Sequence, residues 1–203
     1  MKPIIHLLLL LSMGEITHAQ TSGAKLPSQM LFDQIPSTEY DPAILYYSDQ
    51  AVQGETPVEV LENTLAVLER ELAAIPADKI TYRYGFTKWS VGEVLQHVIS
   101  YEHIMRERAL ITAGIVTKDF KYQKYTQAST ARGGNSKSKE KLIEEFLEAR
   151  KATIAAFRAF DEAQLKKIGR LDGFKISVRM TSLCISGHQM HHFRILRERY
   201  GIL

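Results

Sequence analysis

Apolar side chains recur every three or four residues in four stretches of the chain, and the first two open on residues suited to cap a helix. The first carries Val58, Leu61, Leu65, Leu68, Leu72 and Ile75, the spacing of one face of a 3.6-residue helix. Thr56 can cap it, Pro57 suits the first helical position, Glu59 completes a capping box and Pro76 ends it. The second opens on Ser90-Val91-Gly92-Glu93, another capping box, and carries Val91, Val94, Leu95, Val98, Tyr101, Met105 and Leu110 to about Ala113. The third runs from about Ser138 to Phe160, with Leu142, Phe146, Ala149, Thr153, Ala156, Phe157 and Phe160 on one face. The fourth begins near Ser177–Thr181 and ends at Tyr200, where Gly201 suits the C-terminal cap.

The connections differ in character. Residues 114 to 137 are polar, and such a long loop crossing one end of a domain often borders a site. Asp161 to Leu165 reads as a short turn of helix. Arg170-Leu171-Asp172-Gly173-Phe174-Lys175-Ile176 reads as two short extended pieces about an Asp-Gly turn. The pattern predicts an all-α four-helix bundle with a long crossover between helices 2 and 3 and a small hairpin before helix 4. This domain is expected to span residues 56–203. Residues 20–55, with Pro27, Pro36 and Pro42, sustain no helical period and read as an extended N-terminal arm or linker. Leu31, Phe32, Ile35, Tyr40, Tyr46 and Tyr47 are expected to lay parts of that arm on the domain surface.

Composition narrows the class. The 203 residues, 45% hydrophobic and 24% charged, suit one globular domain. A net charge of +3, with no Lys/Arg cluster, argues against a nucleic-acid partner. The lone cysteine, Cys184, cannot form an internal disulfide. The chain begins with Lys2, an apolar run from Ile4 to Met13, and a polar stretch with Thr17 and Ala19 at small-residue positions. That order reads as a signal peptide over residues 1–19, too short to remain as a membrane anchor. The mature protein is therefore expected to be periplasmic or secreted.

The candidate chemistry lies near the C-terminus, in Gly187-His188-Gln189-Met190-His191-His192, which holds three of the seven histidines. His188 and His192 are four apart, so a helix brings both to one face. His191, three from His188, lies on nearly the same face, and spacing alone does not choose the pair. His97 sits beside the apolar stripe of the second helix. Bundles build metal sites from facing helices. Three neutral imidazoles can hold Zn²⁺, Ni²⁺ or another borderline divalent ion and leave a position open, as catalytic sites do. Tyr101 could face such a site, and Glu102 could act as an acid/base or outer-shell group. Cys184, one turn before His188, could approach the metal or pack as a small buried residue.

Trp89-Ser90-Val91-Gly92-Glu93-Val94-Leu95-Gln96-His97, followed by Gly187-His188-Gln189-Met190-His191-His192, resembles the DinB-like superfamily, which includes a group described as metal-dependent hydrolases. Tyr101-Glu102, Arg108-Ala109-Leu110, Phe146-Leu147-Glu148-Ala149-Arg150 and Ile195-Leu196-Arg197-Glu198-Arg199-Tyr200 extend the likeness, which covers roughly residues 56–203. The resemblance implies a four-helix bundle, a bacterial source and a metal triad of His97, His188 and His192, with His191 outside it. The implied function is metal-dependent hydrolysis of a small electrophilic substrate. The alternatives are a non-catalytic metal- or ligand-binding stress protein, or a thiol-dependent transferase. Export would remove the protein from cytoplasmic thiol cofactors and so weighs against the transferase. The outer helix faces could also pair two copies as a homodimer.

Overall fold

The computed structural model describes residues 28–52, 54–117 and 127–203. The signal peptide expected at 1–19 and the first residues of the arm lie outside these. Helices α1 (Ser28–Asp33) and α2 (Leu45–Ser48) precede the four long helices α3 (Pro57–Ala74), α4 (Val91–Ala113), α6 (Lys139–Ala159) and α8 (Val178–Tyr200). Short helices α5 (Gln127–Ala131) and α7 (Glu162–Leu165) and strands β1 (Ile168–Leu171) and β2 (Phe174–Ser177) fill the connections.

Local chemistry sets the long helices. Thr56 Oγ1 accepts from the Glu59 amide, and Pro57 sits at the first helical position. Ser90 and Glu93 form the full capping box that starts α4, and Gly114, at φ 81°, ends it. Ser138 caps α6 and Ser177 caps α8. The four pack in the order α3–α6–α4–α8 around the bundle, each against two neighbours. The core has two apolar clusters. Leu68, Leu72, Leu95, Val98, Phe146 and Phe193 belong to one. Leu61, Met105, Phe157, Met180 and Ile185 belong to the other. Between them every long helix contributes buried polar side chains: Thr64, His97 and Glu102, Arg150, and Ser186, His188 and Gln189. Buried polar groups must find partners, and here they find them in one another across the middle of the bundle.

The arm departs from the extended chain expected. It forms α1, α2 and 3₁₀ turns at Ser37–Glu39 and Pro42–Ile44. The prolines cut it into short pieces, and Pro42 starts one of them at its favoured first position. Leu31, Ile35 and Ile44 are buried in the core. α2 packs along α8, close enough that a Cβ at Gly187 would run into the Tyr47 carbonyl.

The long connection between α4 and α6 contains α5, which packs on α4, and a 3₁₀ turn at Gly134–Ser136. Residues 118–126 lie outside the described ones. The hairpin forms as the Asp-Gly turn predicts: β1 and β2 pair antiparallel, with Asp172 at φ 50° and Gly173 at φ 92°. Positive φ at both central residues is the turn that matches strand twist. No helix among the described residues is long and apolar enough to cross a membrane.

Candidate metal centre

α4 carries His97 and α8 carries His188 and His192, at the level where the two apolar clusters meet. The helices bring the three rings together. His188 Nε2 lies 3.1 Å from His97 Nε2 and 3.1 Å from His192 Nε2. One ring nitrogen from each residue lies within 4.8 Å of the other two. Ligands of a tetrahedral ion at ~2.0–2.1 Å are spaced about 3.3 Å apart, so the set has the span that a single small cation requires.

The surroundings keep the imidazoles neutral. Burial pulls His97 down to about 4. Burial first, then the charges of His192 and His97, puts His188 well below its ordinary value. Burial and His97 do the same to His192. Neutral imidazole is the ligating form. His97 Nδ1 shares a 2.6 Å hydrogen bond with Thr130 Oγ1. With the proton on Nδ1, the Nε2 lone pair faces the other two rings, the arrangement that orients a metal-binding histidine. His188 Nδ1 is buried without a hydrogen-bond partner. Three convergent nitrogens with no acid among them fit a divalent cation, and no other group of three or more His, Cys, Asp or Glu among the described residues does so.

Aromatic rings hold the set in place. Tyr101 stacks on His188 with ring centroids 3.7 Å apart. Tyr47, from the arm, meets the same ring edge-on at 5.0 Å. Trp89 lies 4.9 Å from His97. His191, outside the triad, packs against Tyr46 and Tyr47.

A cavity of about 260 Å³ opens beside the triad, with His97, His188, Tyr101, Tyr47, Cys184 and Thr130 in its wall. His192 lines a separate, more open hollow with Trp89 and Tyr84. Burial pushes Tyr101 well above 10 and the Cys184 thiol up to about 12. At neutral pH both therefore keep their protons, and Cys184 offers no thiolate.

Glu102 is not in that wall. Its carboxylate accepts from Arg150 Nε at 2.7 Å, from Arg150 Nη2 at 3.3 Å and from Gln189 Nε2 at 2.6 Å, all fully buried. Arg150 also donates to the Leu61 carbonyl at 3.0 Å. The acid/base part expected for Glu102 does not fit a carboxylate enclosed in this way. Its work is to join α3, α4, α6 and α8 beside His188. Both Glu102 and Arg150 stand in register with apolar stripes, Val98–Glu102–Met105 and Phe146–Arg150–Thr153. That placement was the available signal that each needs a buried partner. Thr130 and Tyr47 carry no such signal, since they reach the histidines from distant segments.

Comparison with known proteins agrees with this architecture. The model of the DinB superfamily matches residues 60–196. Among solved structures, YfiT from Bacillus subtilis, described as a probable metal-dependent hydrolase with an unusual four-helix bundle topology, superposes with a TM-score of 0.57. It is 17% identical, over 72% of this chain and 87% of its own. At that identity the likeness shows the fold. No curated protein matches.

Proposed function

The chain belongs to the DinB superfamily, and from that premise we propose that it is a metal-dependent hydrolase of a small electrophilic substrate. One observation carries the reading: three imidazole nitrogens on two helices converge, two of the residues buried and His192 half-buried, with His97 and His188 in the wall of a cavity. His97, His188 and His192 would hold one divalent ion, Zn²⁺ or Ni²⁺ by the nitrogen donor set, and three protein ligands would leave coordination capacity for water or substrate. What such an ion supplies is Lewis acidity toward a carbonyl oxygen and a lowered pKa for water.

The chain's own residues supply the rest. Thr130 Oγ1 lies within hydrogen-bond reach of His97 Nδ1, and accepting a proton from it would leave the Nε2 lone pair for the ion. Tyr101 and Tyr47 hold the His188 ring from its face and edge. Ile44, Ile104, Leu171 and Phe174 give the cavity a largely apolar wall, and surroundings of low polarity strengthen charge interactions. Tyr101, protonated at neutral pH, can donate a hydrogen bond but not accept a proton as a base. Hydrolysis then adds water across an ester or amide bond, giving the acid and the alcohol or amine. The expected signal peptide supports placing this reaction outside the cytoplasm, and mass spectrometry of exported protein beginning at Gln20 would bear that out.

A second reading, a metal-dependent binding protein without turnover, draws on one observation. The carboxylate nearest in sequence to His97 on its C-terminal side, Glu102, is enclosed by Arg150 and Gln189 and cannot act as base. A panel of ester and amide substrates, assayed with and without chelator, separates the two. Chelator-sensitive turnover restored by Zn²⁺ or Ni²⁺ supports the hydrolase. Absence of such turnover on every member supports binding alone.

A further inference from the structure

The cavity has a charged far end that hydrolysis at the triad does not use. One stripe of α4 lines it: His97, Tyr101, Ile104 and Arg108, spaced four, three and four as a single helical face requires. At a rise of ~1.5 Å per residue, the Cα of Arg108 lies about 16 Å along the axis from that of His97. Between the two ends the wall is apolar, with Ile44, Ile104, Leu171 and Phe174.

Arg108 is embedded, with 9% of its side chain exposed, and donates from Nη2 to Asp172 Oδ1 at 3.2 Å. Asp172 is on the hairpin turn, and 63% of its side chain is exposed. The two ends of this ion pair therefore differ. A largely hydrated carboxylate gains little from a single contact. A guanidinium in an apolar wall is always charged and has a fork of donors suited to a carboxylate. A ligand carboxylate entering from the cavity would meet that fork away from water, while Asp172 could return to solvent.

We propose that Arg108 is the anion subsite of this cavity, and that the substrate is a short amphipathic molecule. Its terminal carboxylate takes the place of Asp172 on Arg108. Its apolar middle lies against Ile104, Leu171 and Phe174, and its electrophilic group reaches the triad. The last element rests on the hydrolase reading, whereas the anion subsite does not.

The test is calorimetric titration of the protein, zinc-loaded and again after chelation, with 4-phenylbutyrate and with its neutral amide. The carboxylate is expected to bind about tenfold tighter than the amide in both states. Arg108→Gln removes that preference and Arg108→Lys retains part of it. Asp172→Asn keeps the turn, because Asn tolerates a positive φ, and tightens carboxylate binding roughly threefold by removing a competing carboxylate. Equal binding of the two probes, no binding of either, or a preference kept in Arg108→Gln overturns the proposal. So does a preference lost on chelation, or an Asp172→Asn protein that binds the carboxylate no tighter. If ester and amide turnover is absent while the preference persists, hydrolysis fails and the subsite stands.

Discussion

Tyr101 lies flat on His188, with ring centroids 3.7 Å apart and 17° between the planes. The contact joins α4 to α8 within the wall of the cavity, so it bears on both stability and the orientation of a ligand ring. Tyr101→Phe keeps the stack and is expected to unfold in urea within about 1 kcal/mol of wild type. Tyr101→Ala removes a ring from a packed wall and is expected to cost about 3 kcal/mol. Metal titration should show affinity held in Tyr101→Phe and reduced about tenfold in Tyr101→Ala, as when a supporting contact to a ligand is lost.

Glu102 and Arg150 form a fully buried ion pair, with Gln189 completing it. Removing one partner strands a charge, at about 3–5 kcal/mol. Glu102→Leu and Arg150→Met should each destabilise by that amount in urea. The double variant should cost much less than the sum, since it leaves neither charge alone. Additive costs would show that the pair is not coupled.

Most of the fold was legible because the helices are set locally. The Ser90–Glu93 box, the Asp172-Gly173 turn and the Gly201 cap each depend on a few adjacent residues, and all three form where the sequence places them. The triad was legible in part. The four-residue spacing pairs His188 with His192, but His191 could be set aside only by resemblance, and the structure turns it toward Tyr46 and Tyr47. What was not legible is long-range. Thr130 meets His97 from 33 positions away and Tyr47 reaches His188 from the arm. No periodicity reports such contacts. Three prolines interrupt the period of the arm and so predict an extended chain, yet Leu31, Ile35 and Ile44 find the core by way of short turns.

Acid should reveal how that arm is held. Glu39 accepts two hydrogen bonds from Arg179, from Nε at 2.8 Å and from Nη2. Burial alone would raise the Glu39 pKa, but the hydrogen bonds from Arg179 and Ser177 and the Arg179 charge outweigh it and bring it below the usual carboxylate range. A carboxyl lowered in the folded state contributes stability above the unfolded pKa, about 4.3, and loses it as pH falls through the folded value. Wild type should therefore exceed Glu39→Gln in stability at pH 6, with the gap closing as pH drops toward 3. A gap independent of pH would mean that the pair does not anchor the arm.

The most direct test of the central claim is elemental analysis of purified wild-type protein beside His97→Ala, His188→Ala and His192→Ala, after supply of Zn²⁺ or Ni²⁺ and removal of free ion. The three convergent nitrogens predict about one divalent ion per chain in wild type and a small fraction of that in each variant, with circular dichroism showing the helices intact. Equal metal content in wild type and His188→Ala, whether full or negligible, would contradict the metal centre.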